Sequence, residues 1–378
     1  MTDREALLAA IRAAPDDDLP RLIFADWIEE NPSAALPEEQ ASVGARAAFI
    51  RAQIEAARAE PHSPAARAAE ERAAALLTDD TRDAWSAAIR HQVLDYAFHR
   101  GFVEHVTVNA AVFAEIAKDL FESEPIRSLR LVRPAPSRSE YEVLLQPLFE
   151  VPQLAQLRAL DLQSVELLHD DCMNLAESPH LAQLTDLCLR DNPIFPPWLN
   201  DVLASDLWPS LTALDLSEVP HLGPTIARTF SKLEHRRFRK IDFSGVVFRS
   251  NELHQTLASE CLADVEELHL RWDGAAHQAG ALTHLEMSYV LPWSNLRVLN
   301  LEGQGIGSEG VREIVANSHA AKLRWLNIAR NYIGPEGVDR FCRDPDIELY
   351  HLDVRNNGLG PRDIAALKRR FPAARIVA

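Results

Sequence analysis

Leu296-Arg-Val-Leu-Asn-Leu-Glu-Gly-Gln-Gly-Ile-Gly-Ser-Glu-Gly-Val311 and Leu323-Arg-Trp-Leu-Asn-Ile-Ala-Arg-Asn-Tyr-Ile-Gly-Pro-Glu-Gly-Val338 are two copies of one unit, offset by 27 residues. Each opens with L-x-x-L-x-L, the period-two alternation of a half-buried strand. Each passes through a glycine-rich turn into a stretch with helical spacing, Gly310 to Val315 and Gly337 to Phe341. Working outward, the same triplet recurs as Leu157-Leu160-Leu162, Leu184-Leu187-Leu189, Leu211-Leu214-Leu216, Phe238-Ile241-Phe243, Val265-Leu268-Leu270 and Leu349-Leu352-Val354. Two weaker copies precede them, Val103-Val106-Val108 and Ile126-Leu129-Leu131. Between third positions, four successive intervals from Leu162 to Leu270 are 27 residues each, and the next three are 31, 27 and 26. The longer interval contains a misplaced triplet, Leu282-Leu285-Met287, which is assigned to a helix.

A single strand–turn–helix unit buries too few aliphatic side chains to offset the backbone entropy of ordering it. The units must therefore stack into a solenoid and lend one another a core. The two quoted segments resemble leucine-rich repeats of the ribonuclease-inhibitor-like subtype, and the resemblance runs from about residue 103 to the end. It implies an α/β horseshoe, with a parallel sheet on the concave face and helices on the convex side. It further implies an asparagine after each strand that satisfies loop backbone groups. Asn192, Asn331 and Asn357 fit that role, while Val165, Val219 and Val246 stand in the same register. Pro361 to Phe371, followed by Arg375-Ile-Val377, reads as a last helix and short strand that cap the array over residues 361–378.

Before residue 98 the periodicity changes. Thr2-x-x-Glu5 is a capping box that opens a helix running to about Ala14. Asp16-Asp17-Asp18 supplies a cap for a second helix through Trp27 and Ile28, and alanine-rich helices follow near 38–59, 64–77 and Trp85. Pro15 to Glu30, with Arg46-Ala-Ala-Phe-Ile-Arg-Ala-Gln53 and Phe98-His-Arg-Gly-Phe-Val-Glu-His-Val106, resembles the bacterial repeat-companion domain. That resemblance implies a helical module, residues 1–97, ahead of a solenoid, residues 98–378. Packed on the first strand, such a module would cover an otherwise open sheet edge.

Composition narrows the function. The chain has 378 residues, 47% of them apolar, and a formal net charge of −17. That charge disfavours phosphate backbones and anionic lipid, and favours a basic protein partner. No basic leader precedes an apolar core at the amino terminus, and no apolar run is long enough to span a bilayer. Four scattered cysteines suit reduced thiols in cytoplasm.

The residues flanking the inner apolar positions should line the concave face: Asp161, Arg190, Asp215, Asp242, His269, Arg271, Asn300, Trp325, Asn327, His351, Asp353 and Arg355. Asparagine and aspartate at such positions also serve solubility alone, so the face as a whole is the binding candidate. Its area, about 600 Å² from strand spacing, approaches the roughly 800 Å² per partner of a standard protein interface. Trp325, beside His351 and Arg355 on the next strand, is the expected anchor.

Other candidates carry less. Arg236 to Lys240 is a basic run that suits a solvated turn. His169-Asp-Asp-Cys172 offers three metal-ligand types without a fourth. Trp27 with Asp26, Glu29 and Glu30 suits a core residue with surface acids. No catalytic, cofactor or metal motif is present in the sequence. The expectation is a non-catalytic adaptor, scaffold or inhibitor, monomeric outside its complex. The alternative is a substrate-recognition protein or effector with activity in residues 1–97; that segment contains no cysteine, so thiol chemistry is excluded there.

Overall fold

The computed structural model describes residues 2–133 apart from 36 and 38, 145–272 apart from 195 and 205–207, and 293–378 apart from 344 and 345. The chain is an α/β solenoid with leucine-rich-repeat-like coils and an amino-terminal helical segment, divided into two compact units, Met1–Asp161 and Leu162–Ala378. The triplet Leu282-Leu285-Met287 lies outside the described residues.

The first unit begins with five helices: α1 (Asp3–Ala13), α2 (Leu19–Glu30), α3 (Val43–Arg58), α4 (Pro64–Leu76) and α5 (Asp79–Trp85). The capping box of α1 forms as the sequence predicts, with Glu5 N donating to Thr2 Oγ1 and Thr2 N to Glu5 Oε2. At α2 the aspartates divide their work. Asp17 Oδ1 accepts the Leu19 amide at 2.9 Å, whereas Asp18 accepts from Arg58 Nε at 2.8 Å and ties α2 to the end of α3. Ile11, Phe24, Ile28, Ala47, Ile50 and Phe102 form the core between these helices, and Phe49, Ala73 and Trp85 a second cluster.

The expectation that helices cover the first parallel strand needs correcting. Phe98 to Val106 does not lead from helix to strand; it forms most of a hairpin of β1 (Asp95–His99) and β2 (Phe102–Asn109). β1 pairs antiparallel on the free edge of β2, so hydrogen bonds, not helices, satisfy that edge. β2 then runs parallel to β3 (Ser128–Val132), and β3 to β4 (Ala159–Asp161), with α6 (Ala110–Ser123) between β2 and β3.

At the hairpin tip, Gly101 takes a left-handed φ of 89° and sits on α3. Its amide donates to Gln53 Oε1 at 2.7 Å, and Gln53 Nε2 donates to Phe98 O. A Cβ on Gly101 would stand 2.4 Å from Ile50 Cγ1 and 2.9 Å from Ile50 Cα. Gly101→Ala is therefore expected to destabilise this unit by about 2–3 kcal/mol, combining left-handed strain with overpacking. A urea melt of the variant showing a loss below about 0.5 kcal/mol would mean that the hairpin and α3 separate without cost.

Among its described residues the second unit holds eight parallel strands in chain order: β5 (Asp186–Cys188), β6 (Ala213–Asp215), β7 (Lys240–Asp242), β8 (Glu267–His269), β9 (Val298–Asn300), β10 (Trp325–Asn327), β11 (His351–Asp353) and β12 (Arg375–Val377). Their register aligns the middle apolar residue of every triplet, from Leu187 through Leu214, Ile241, Leu268, Leu299 and Leu326 to Leu352 and Ile376. Apart from Ile376, these side chains are buried. Helices such as Gly307–Ala316 and Gly334–Arg343 bury one apolar side each, through Val311 and Ile314 or Val338 and Phe341. The predicted last helix and short strand are present as Pro361–Arg370 and β12.

Two periodic devices shape the turns. Two residues beyond the third triplet position, the backbone is left-handed at Ser164, Asp191, Glu218, Gly245, Gly303, Arg330 and Asn356. One residue further stands the expected ladder. Buried Asn331 donates Nδ2 to Leu301 O (2.7 Å) and Ala329 O (2.9 Å) and accepts from the Ile306 amide. Asn357 donates to Ile328 O and Val354 O and accepts from the amides of Asn331 and Ile333; Asn192 serves Leu162 O, Leu189 O and Leu167 N likewise. Gln304, which sequence analysis passed over, stands in the same register and donates Nε2 to Leu270 O. In the middle coils Val219 and Val246 are buried instead, and Phe230, Phe238, Phe243 and Phe248 pack ring against ring beside them.

Candidate protein-binding face

On strands β5 to β11 most residues beside the buried central aliphatic are part-exposed or exposed. Their central column, predicted as binding residues, has a structural task first. Asp215 Oδ1 accepts the Ser217 amide, Asp242 that of Ser244, Asn300 that of Glu302, Asn327 that of Ala329 and Asp353 that of Arg355, at 2.8–3.1 Å. Each thereby closes an Asx turn where its strand ends. This explains why short polar side chains recur there: aspartate and asparagine reach their own backbone two residues on.

Burial acts on the charged members. Asp242 is pushed above its ordinary range, first by burial and then by repulsion from Asp215 on the neighbouring strand. Asparagine makes the same turn at residues 300 and 327. Asp242→Asn should therefore keep the bond to Ser244, remove the repulsion and stabilise the unit by about 0.5–1 kcal/mol at pH 7. In thermal melts the gain should fade as the pH falls through the raised value of Asp242 and be gone below the ordinary carboxylate range, where the carboxyl is protonated folded or unfolded. A loss of stability at pH 7 would refute this account.

The flanking columns form two charge clusters. Glu267 Oε1 lies 2.7 Å from Lys240 Nζ and 2.8 Å from His269 Nε2. Burial alone would raise Glu267, but His269 and Lys240 outweigh it and hold the carboxyl at about 2. Glu218, absent from the sequence-based set, gathers Arg271 at 2.5 Å and Arg190 at 3.8 Å. Its signal was its place: a glutamate at the left-handed turn position that Gly245 and Gly303 occupy in later coils. Arg355 folds back on its own strand as a fork to Asp353, with Nη2 at 2.6 Å.

Trp325 stacks flat on His351, with ring centroids 4.9 Å apart and planes 8° apart, and His269 tilts against its other side at 6.2 Å. The rings of Trp325 and His351 are part-exposed. The predicted anchor group is thus assembled, with one change: Arg355 is committed to Asp353. Asp161 lies in the first unit, at the end of β4, with its carboxylate 3.6 Å from Arg130 Nε.

The remaining candidates resolve into structural roles. Arg236 donates to the carbonyls of Leu203 and Trp208, Arg237 pairs with Glu260, and Arg239 with Glu266. Asp171 caps its helix through the Leu168 amide, Cys172 is buried, and no cluster of three metal-ligating side chains occurs among the described residues. Asp26 and Glu29 both bind Arg51. No helix among the described residues is long and apolar enough to cross a membrane.

Neither protein-family models nor curated proteins match this sequence. Solved structures do. A chain of the yeast Rad7–Elc1 complex matches at 14% identity and a TM-score of 0.49, covering 72% of this chain and 68% of that one. A leucine-rich repeat protein of Leptospira interrogans matches at 14% identity and a TM-score of 0.31, covering 69% of this chain and 74% of that one.

Proposed function

We propose that residues 98–378 form a non-catalytic protein-interaction module, an adaptor, scaffold or inhibitor, that docks a partner on the strand face of its coils. Residues 1–97 are proposed as a repeat-companion module that adds no chemistry. The observation that carries this reading is the Trp325–His351 stack on a face whose charges already have neighbours. A rigid aromatic pair loses little rotamer entropy on binding, and aromatic residues concentrate interface energy. Arg271, Lys240 and Arg355 are held by carboxylates before any partner arrives, so their ordering cost is already met. The net charge of −17 favours a partner with a basic surface and disfavours nucleic acid. A cytoplasmic monomer of bacterial origin belongs to the same proposal.

Affinity capture with the wild-type chain, followed by titration of the purified partner, is the test. Trp325→Ala with His351→Ala is expected to weaken the partner at least tenfold, about 1.4 kcal/mol, without loss of circular dichroism. Undiminished binding by that double variant places the interface elsewhere. Cleavage or covalent change of the partner by the wild-type chain sinks the non-catalytic reading in favour of an effector or substrate-recognition enzyme.

A further inference from the structure

We propose that the first unit holds a binding cavity for a small oxyanion, a carboxylate or phosphate of a few heavy atoms, received by Arg46. The cavity, of about 80 Å³, is lined among others by Arg4, Glu39, Arg46, Trp85, Phe102 and Glu124. Arg46 projects from α3 and is 3% exposed. Its guanidinium carbon lies 4.9, 5.5 and 5.1 Å from the rings of Trp85, Phe98 and Phe102. Ring faces favour the cation, but they leave its N–H groups without acceptors. Nε and Nη1 are buried with no hydrogen-bond partner. A buried polar group of this kind calls for an explanation.

Arg21 shows how the same unit treats a purely structural arginine. It is equally buried and leaves only Nε without a partner, because it donates to the carbonyls of Pro15 and Arg100 and pairs with Glu104 at 2.6 Å. Arg46, which lines the cavity, instead has two donors, Nε and Nη1, without a partner. The charges around that space point to an anion. Arg4, Arg12 and Arg46 face Glu39 and Glu124, and Glu39 is bound to Arg4 at 2.8 Å. One positive charge remains even with both carboxylates ionised. The volume admits several waters or one molecule the size of formate, acetate or phosphate.

Glu124 sets the pH dependence. Burial, opposed by Arg46 and the Val103 backbone, pushes its carboxyl up to about 7. An arriving anion favours the protonated form, whose O–H can donate to it. Arg4, Arg12, Glu39 and Arg46 are the other charged groups lining the space, and no histidine does. Binding should therefore be several-fold tighter at pH 6 than at pH 8.

Isothermal titration of the full chain with sodium formate, sodium acetate and inorganic phosphate, in chloride-free buffer at both pH values, tests this. Saturable one-site binding of at least one probe is expected, and the three separate carboxylate from phosphate. Arg46→Lys, which keeps the charge but removes two donors, should weaken it at least tenfold. Glu124→Gln should bind formate and acetate, which stay ionised throughout, with no difference between pH 6 and pH 8, which decides the matter should the Arg46 variant fail to fold. Absence of saturable binding for all three probes means that the space holds only water and overturns the proposal. So does unchanged affinity in Arg46→Lys, or a pH dependence of formate or acetate binding that survives in Glu124→Gln.

Discussion

Replacing Arg21 with methionine is expected to destabilise the first unit by about 3–5 kcal/mol, the usual cost of stripping one partner from a buried ion pair. Arg21 is wholly buried and Glu104 nearly so, with 2.6 Å between them. Removing the guanidinium leaves the Glu104 carboxylate to His99 and Arg100, at 3.0 and 3.4 Å, and frees two buried carbonyl bonds. Burial alone would raise Glu104, but His99, Arg21 and Arg100 together hold it below the ordinary carboxylate range. Its contribution is therefore complete above that range and drains away as the pH falls through the lowered value. Arg21→Met with Glu104→Leu should recover at least half of the loss, because two apolar groups need no solvation. Hydrogen exchange of the β2 amides under mild urea is the measurement. A double variant as unstable as the worse single would show that Arg21 acts through its carbonyl bonds instead.

Asn331→Ala is expected to cost the second unit a similar amount, about 3–5 kcal/mol. The side chain satisfies two carbonyls and one amide in a dry turn, and each buried group left unmade costs about 1–3 kcal/mol. Its effect should appear as lost protection at the Ile306 amide, in the preceding coil, as well as in the global transition. Unaltered protection there would mean that the ladder is filled by whatever reaches it and holds nothing in place.

The repeat was legible because its signal is redundant. The aliphatic triplets announce strand, register and buried face together, and the structure aligns them at each pairing from β5 to the cap. The asparagine ladder was legible through the resemblance; Gln304, which fills the same position with a longer amide, was not. β1 was missed because its alternation, Tyr96 and Phe98 between Asp95, Ala97 and His99, lasts only five residues and buries neither ring fully. Glu218 and Arg355 were misjudged for the opposite reason. Sequence order shows which residues share a strand face, but not that a turn glutamate reaches two arginines from other coils, or that Arg355 bends to the residue two before it. The Arg46 cavity could not be read from local pattern at all, since its walls come from α1, α2, α3, β2 and the segments around residues 39, 85 and 124.

Because side-chain amides bolt some coils together while valine and phenylalanine merely nestle in others, the second unit should not give way evenly. Pulled along its stack in a force experiment, coils such as those of Asn331 and Asn357 would shear as one piece, each bolt tolerating hardly any slip. The phenylalanine-filled middle would creep first, since ring-to-ring cohesion survives small sliding. Under load the stack would therefore lengthen in its middle before its last coils part.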